Sequence, residues 1–177
     1  ERTDNGLVIV GSKGENVYND YAAIIIDLAG NDKYNNNCAS TTMSNNIGLV
    51  IDFSGNDYYE TTNNKGTQGF GKLGAGILLD LDGKDGYHAK NYAQGCGLLG
   101  IGILADFAGE DYYESETISQ AASIFGIGIL YDKSGCDRYT GAFGVQGFAG
   151  CDGFAALVEA DGWDIYNAGG KYPDMRD

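Results

Sequence analysis

Proline and histidine each occur once in the 177 residues, the histidine as His88. One histidine cannot supply the imidazole ligands of ordinary zinc chemistry. The four cysteines (Cys38, Cys96, Cys136, Cys151) have no CxxC spacing and no adjacent histidine. Their even number permits two disulfides without fixing a pairing. Basic residues are also few, 11 against 25 acidic, which leaves a net charge of −14. Such a surface repels nucleic acid and anionic membrane and attracts cations. Long apolar runs are missing: the longest, near Ala22–Ile26, has the length of a strand and excludes membrane insertion by a helix. No signal peptide is visible at Glu1, as expected of a cytoplasmic chain or of one whose leader has been removed. The motifs of common enzymes are absent as well. There is no G-x-S-x-G, no Cys/His pair and no phosphate loop, and Lys65, Lys90 and Arg138 form no cluster. His88, alone beside acids, reads as incidental, so the expectation is a protein that is not an enzyme.

What is present is glycine, 29 residues of it, without a collagen period. Glycine at this density marks many tight turns or close stacking of backbones. It belongs to a repeat, D-x-x-G-x-D-x-Y. The copies are Asp27/Gly30/Asp32/Tyr34, Asp52/Gly55/Asp57/Tyr59, Asp80/Gly83/Asp85/Tyr87, Asp106/Gly109/Asp111/Tyr113 and Asp132/Gly135/Asp137/Tyr139. Worn copies flank them, Gly11/Gly14/Asn16/Tyr18 before and Glu159/Gly162/Asp164/Tyr166 after. The units begin near 11, 27, 52, 80, 106, 132 and 159, with steps of 16, 25, 28, 26, 26 and 27 residues. One domain of seven units, about 26 residues each, therefore spans 1–177, and its atypical ends resemble capping repeats.

Further columns emerge when the units are stacked. Two residues before the first acid stands Ile25, Val50, Leu78, Leu104, Leu130 or Leu157, always aliphatic. Four before it stands Ala23, Gly48, Gly76, Gly102, Gly128 or Ala155, always small. Gln68, Gln94, Gln120 and Gln146 recur downstream, and the second unit carries an insertion around Asn63–Lys65. The apolar segments are too short for helices and are bounded by Gly/Asp turns, so they read as strands. In Gly100–Asp106 one face carries Ile101, Ile103 and Ala105, and this is the expected core face. The other face carries Gly100, Gly102 and Leu104 and is flat enough for close approach by another sheet, another chain or a solenoid corner. The expected fold is an all-β parallel solenoid of about seven coils, in which Gln amides bond to one another along the axis and Tyr rings stack. The G-x-G…Y alternation is similar to that of MORN repeats, which implies stacked antiparallel hairpins as the alternative fold.

In-register stacking would place like carboxylates about 5 Å apart, a repulsion of roughly 1 to 3 kcal/mol per neighbour. Each Asp either accepts hydrogen bonds from its own turn or shares a cation with the next coil. Ala29-Gly30-Asn31-Asp32-Lys33-Tyr34 and Ser54-Gly55-Asn56-Asp57-Tyr58-Tyr59 resemble the G-x-G-N-D-x-φ core of RTX calcium-binding repeats, over the turn of each unit only. The leading glycine pair is absent, and the period is about 26 rather than nine. The resemblance implies Ca²⁺ between successive turns and a secreted or cell-surface protein. The candidate ligands are Asp27, Asp32, Asp52, Asp57, Asp80, Asp82, Asp85, Asp106, Asp111, Asp132 and Asp137. A rigid, acidic, structural or adhesive solenoid that stacks end to end into a filament is the expected role. A polysaccharide-binding or polysaccharide-cleaving module is the alternative. Thr41, Thr42, Thr61 and Thr62 do not recur in later units and so form no ice-binding array. Trp163 and Tyr172 are expected to cap the last coil.

Overall fold

Each apolar segment ends in an acid and a glycine turn, so the chain extends for a few residues and then bends, always at the same column. The computed structural model describes residues 1–3, 6–35, 38–61 and 66–169. Thr62, the Asn63–Lys65 insertion and Tyr172 lie outside the described residues. The first sheet has eight strands: β1 (Arg2–Thr3), β2 (Gly6–Val10), β4 (Ile24–Asp27), β6 (Ile47–Asp52), β9 (Ala75–Asp80), β13 (Ile101–Asp106), β17 (Ile127–Asp132) and β19 (Phe154–Glu159). The second has seven: β3 (Val17–Tyr18), β5 (Lys33–Tyr34), β7 (Tyr58–Glu60), β10 (Gly86–His88), β14 (Tyr112–Glu114), β18 (Arg138–Gly141) and β20 (Ile165–Ala168). Short strands close the coil on its remaining sides: β8 (Gly71–Lys72), β12 (Gly97–Leu98) and β16 (Ser123–Ile124) on one, β11 (Asn91–Ala93) and β15 (Thr117–Ser119) on the other.

Repeat partners sit directly over one another. Ile103 pairs with Ile77 and Ile129, and Asp106 with Asp80 and Asp132. Among the described residues every pairing between coils is parallel, which establishes the solenoid and excludes antiparallel hairpins; β1 alone of the described strands runs antiparallel, against β2. The complete coils number about five rather than seven. The first unit is a 16-residue step that contributes only two strands, β2 and β3, and the last contributes β19 and β20.

The interior is the glycine face, contrary to the expectation from the alternation. Leu104 and its counterparts Leu78 and Leu130 are fully enclosed, whereas Ile101 is 41% exposed. The cause is the narrowness of the coil. A Cβ on Gly102 would lie 2.0 Å from the Cys96 carbonyl oxygen, and on Gly128 it would lie 2.2 Å from that of Ala122. The backbone of the opposite side thus presses on the first sheet where the chain has no side chain, and beyond that point the lumen is filled by the aliphatic and tyrosine columns together with buried Asp and Gln side chains. Close approach to a solenoid corner was the correct half of the expectation.

Tyr18, Tyr34, Tyr59, Tyr87, Tyr113, Tyr139 and Tyr166 form one stack with ring centroids 4.4–5.0 Å apart, in line with the sequence. The glutamines do not pair amide to amide. Gln94 Nε2 donates to the Tyr87 carbonyl at 2.9 Å and to that of Glu114, one coil on, at 3.0 Å. Gln120 does the same to Tyr113 and Thr140. Both amide protons are needed at this corner, where β-strand carbonyls would otherwise be buried without donors. All four cysteines are free thiols, with Cys38 and Cys96 buried. Burial pushes those two thiols up to about 11 and about 12. Trp163 does not cap the last coil. It occupies the outward position of a G-x-D turn and is 88% exposed.

Gly102→Ala should lower stability by about 1 to 3 kcal/mol through overpacking, while Ile101→Ala costs about 0.5 kcal/mol. Urea midpoints decide this, and equal costs would contradict the inward placement of the glycine.

Candidate metal centre: two files of buried carboxylates

The first Asp of each unit is the last residue of a first-sheet strand, and alternation turns it inward with Leu104 and its counterparts. Asp27, Asp52, Asp80, Asp106 and Asp132 are all fully enclosed. Each takes a hydroxyl from the tyrosine of the preceding coil: Tyr34 donates to Asp52 at 2.6 Å, Tyr59 to Asp80 at 2.7 Å, Tyr87 to Asp106 at 2.6 Å and Tyr113 to Asp132 at 2.7 Å. Tyr18 donates to Asp27 and Tyr139 to Glu159 in the same way. At Asp27, Asp52 and Asp106 the other oxygen accepts the N–H two residues on, at 2.9, 3.2 and 3.2 Å. That is the turn-stabilising role expected of an Asx residue.

The second Asp behaves differently. Its Oδ1 accepts the backbone N–H of the corresponding residue in the preceding coil, not one from its own turn. Asp32 N–H donates to Asp57, Asp57 N–H to Asp85 and Asp85 N–H to Asp111, each at 2.6 Å. Asp111 N–H then donates to Asp137 at 2.7 Å. The Oδ2 atoms of Asp32, Asp57, Asp85, Asp111 and Asp137 have no hydrogen-bond partner, although these residues are 1–3% exposed. Asp80 Oδ1, Asp132 Oδ1 and Glu159 Oε2 are also buried without one.

The two files of carboxylates converge. Among the described residues, five groups bring three carboxylates within 4.8 Å of one another: Asp27/Asp32/Asp52, Asp57/Asp80/Asp85, Asp85/Asp106/Asp111, Asp111/Asp132/Asp137 and Asp137/Glu159/Asp164. Buried unpartnered carboxylate oxygens are costly in a low-dielectric interior. They demand protons or a cation, and the clusters could hold a metal ion. Of the candidates read from the sequence, only Asp82 stays outside the groups. It lies on the outer rim of the turn, where its carbonyl accepts the Gly55 N–H. Glu159 and Asp164 join the groups, and the worn last copy of the repeat had marked both. The tyrosine partnership was missed, although the column already placed one Tyr and one Asp at a fixed offset in every neighbouring pair of coils.

Burial raises these carboxyls first, and the charge of facing carboxylates adds to it, partly offset by the accepted hydrogen bonds. Asp32 and Asp137 are pushed up to about 6, Asp80 to about 7, Asp57 and Asp111 to about 8, and Asp85 to about 11. Glu159 rises to about 8, and Asp52, Asp106 and Asp132 are raised as well.

His88 lies elsewhere, on the outer surface of β10 between Tyr58 and Tyr112, with its Nδ1 at 3.1 Å from Glu114. Comparison of the chain with protein-family models, with curated proteins and with solved structures finds no match.

The raised carboxyls carry a pH signature. Without metal, the folded protein holds more protons than the unfolded chain between the ordinary carboxylate value of about 4 and roughly pH 8. The stability contributed by these groups is therefore fully present below about pH 4 and is lost as the pH rises through about 6 to 8, and for Asp85 through about 11. The melting temperature of chelator-treated protein should be higher at about pH 5 than at about pH 8. A rise over that interval would contradict the raised values.

Proposed function

We propose that the chain is a non-catalytic structural β-solenoid, acting as a stalk or surface element, whose coils are fastened to one another by calcium ions between the two carboxylate files. The observation that carries this is the row of unpaired, buried carboxylate oxygens repeated at each coil junction. Three carboxylate oxygens within 4.8 Å suit a common cation, because two oxygens each about 2.4 Å from one Ca²⁺ are separated by at most about 4.8 Å. The donors are all hard oxygens, which favours Ca²⁺ or Mg²⁺ over thiolate- or imidazole-seeking metals. Calcium suits the irregular set better than magnesium, which demands a near-ideal octahedron.

The charge also balances. Each coil adds one carboxylate from each file, and one divalent cation per coil neutralises both. Five such cations would take the net charge from −14 to −4. The turn likeness to RTX repeats points the same way, and calcium sites of modest affinity go with a secreted or cell-surface setting. A structural role is favoured over carbohydrate cleavage because the clustered aspartates of the complete coils are enclosed, with exposure of 3% or less, and no polysaccharide can reach them.

At neutral pH, calcium in roughly hundredfold excess over its dissociation constant should add about 2.7 kcal/mol per site, a rise of several degrees in melting temperature, and EDTA should reverse it. Asp85→Asn, which alters two clusters, should diminish the calcium response while raising the melting temperature of the metal-free protein at about pH 8, because the neutral amide spares folding the cost of protonating a carboxyl that is ionised in the unfolded chain. An unchanged melting curve with and without EDTA would sink the calcium proposal.

A further inference from the structure

With the glycine and leucine positions turned inward, the remaining strand positions of the first sheet face outward. Its outward positions, Ile101, Ile103, Ala105 and Phe107 in one coil, carry Val, Ile, Leu, Ala, Phe or Tyr in the same register of the other complete coils, with Lys133 the single charged exception. In a chain with 36 charged side chains this is strong avoidance. The outward positions of the second sheet are the contrast, because there Lys33 pairs with Glu60 and His88 with Glu114. The apolar face is solvent-facing: Ile47 is 56%, Ile101 41% and Ile127 38% exposed. At the starts of its strands Leu73, Leu99 and Phe125 are held at φ of 52°, 52° and 51°, an unfavourable backbone for a side chain, and they too are exposed.

We propose that this face is a lateral dimerisation surface, which a second copy of the chain covers sheet to sheet. All-parallel sheets with apolar residues on both faces are found covered on both. Seven parallel strands at about 4.8 Å spacing and six residues at about 3.3 Å give a face of roughly 30 by 20 Å. That is about 600 Å² per copy and about 1,200 Å² for a pair, the size a specific dimer needs and at the upper limit of what a monomer leaves exposed. The surface is apolar apart from Lys133, so it complements itself, and two such sheets stack at about 10 Å like the layers of a sandwich. A lipid surface fits less well, because the rest of the molecule carries the net charge of −14. Association is thus side by side and leaves the ends of the stack out of the contact; at one of these β1 already occupies the edge of β2. It does not depend on the bound cation, since none of these residues belongs to a carboxylate cluster.

Sedimentation velocity of the whole chain, in calcium and separately in EDTA, tests this. A species of twice the monomer mass is expected at about 100 µM, dissociating on dilution toward about 1 µM. Ile101→Lys/Ile127→Lys should be monomeric throughout, with a melting temperature close to that of diluted unmodified protein. Ile47→Lys, at the most exposed of the three positions, is the second variant and should weaken the dimer at least tenfold. An unmodified chain that remains monomeric at about 100 µM overturns the proposal, and so does a folded variant that dimerises unchanged. Flotation of a monomeric chain with phosphatidylcholine vesicles would also overturn it, assigning the face to lipid. Loss of the dimer in EDTA together with loss of the far-ultraviolet strand signal would report failure of the cation sites and not of this surface.

Discussion

The inward-facing side chains of the complete coils are stacked on near-copies of themselves, and that constraint governs much of the rest. In-register parallel pairing lets tyrosine lie on tyrosine and leucine on leucine, which is favourable for each. The same rule sets carboxylate against carboxylate, where it is unfavourable. The structure answers by giving each acid a donor from an adjoining coil: a tyrosine hydroxyl for the first file, a backbone N–H for the second. Those bonds account for one oxygen of each second-file acid and leave the other unmatched. The favourable ladders and the unresolved acid row thus have a single origin, and a repeat that gained one could not avoid the other.

The repeat made much of this legible. Columns of Asp, Gly, Tyr and Gln could be aligned from the sequence, and their period implied parallel coils, because only stacking puts such columns to use. Which way the strands face was not legible. Ile101, Ile103 and Ala105 look like a core by hydropathy, and Gly102 looks like a surface. The deciding fact is the distance between opposite walls of the coil, a tertiary quantity no local alternation encodes. The burial of the Asp at each strand end was illegible for the same reason, although its bond to its own turn was expected. Once Leu104 faces inward, Asp106, two residues on, must face inward as well, and its burial follows from alternation alone.

The glutamine column shows a second limit. An amide that recurs in four units suggests a ladder of amides, yet Gln94 spends both protons on main-chain carbonyls of two adjacent coils. It does so at φ 53°, a left-handed backbone that swings the side chain back toward the strands, and Gln68 and Gln120 share it at 52° and 54°. Nothing in the residue type announces that conformation, because Gly69, Gly95 and Gly147, each just after its glutamine, have the composition of turn formers. The corner therefore works as a clasp between coils, which a spacing pattern could not distinguish from a stack within one file.

The uniform register between neighbours also shapes how the chain reaches this state. Ile103 lies 26 residues from each of its partners, Ile77 and Ile129. The complete coils keep close to that separation, so the loop that must close before a strand finds its template is nearly the same at each step. Loop-closure entropy then adds no growing penalty as coils accumulate, unlike in sandwiches or barrels, where the first and last strands must meet. Folding can begin at any pair of coils and propagate in both directions along the axis. Lengthening the array would leave the difficulty of each step unchanged.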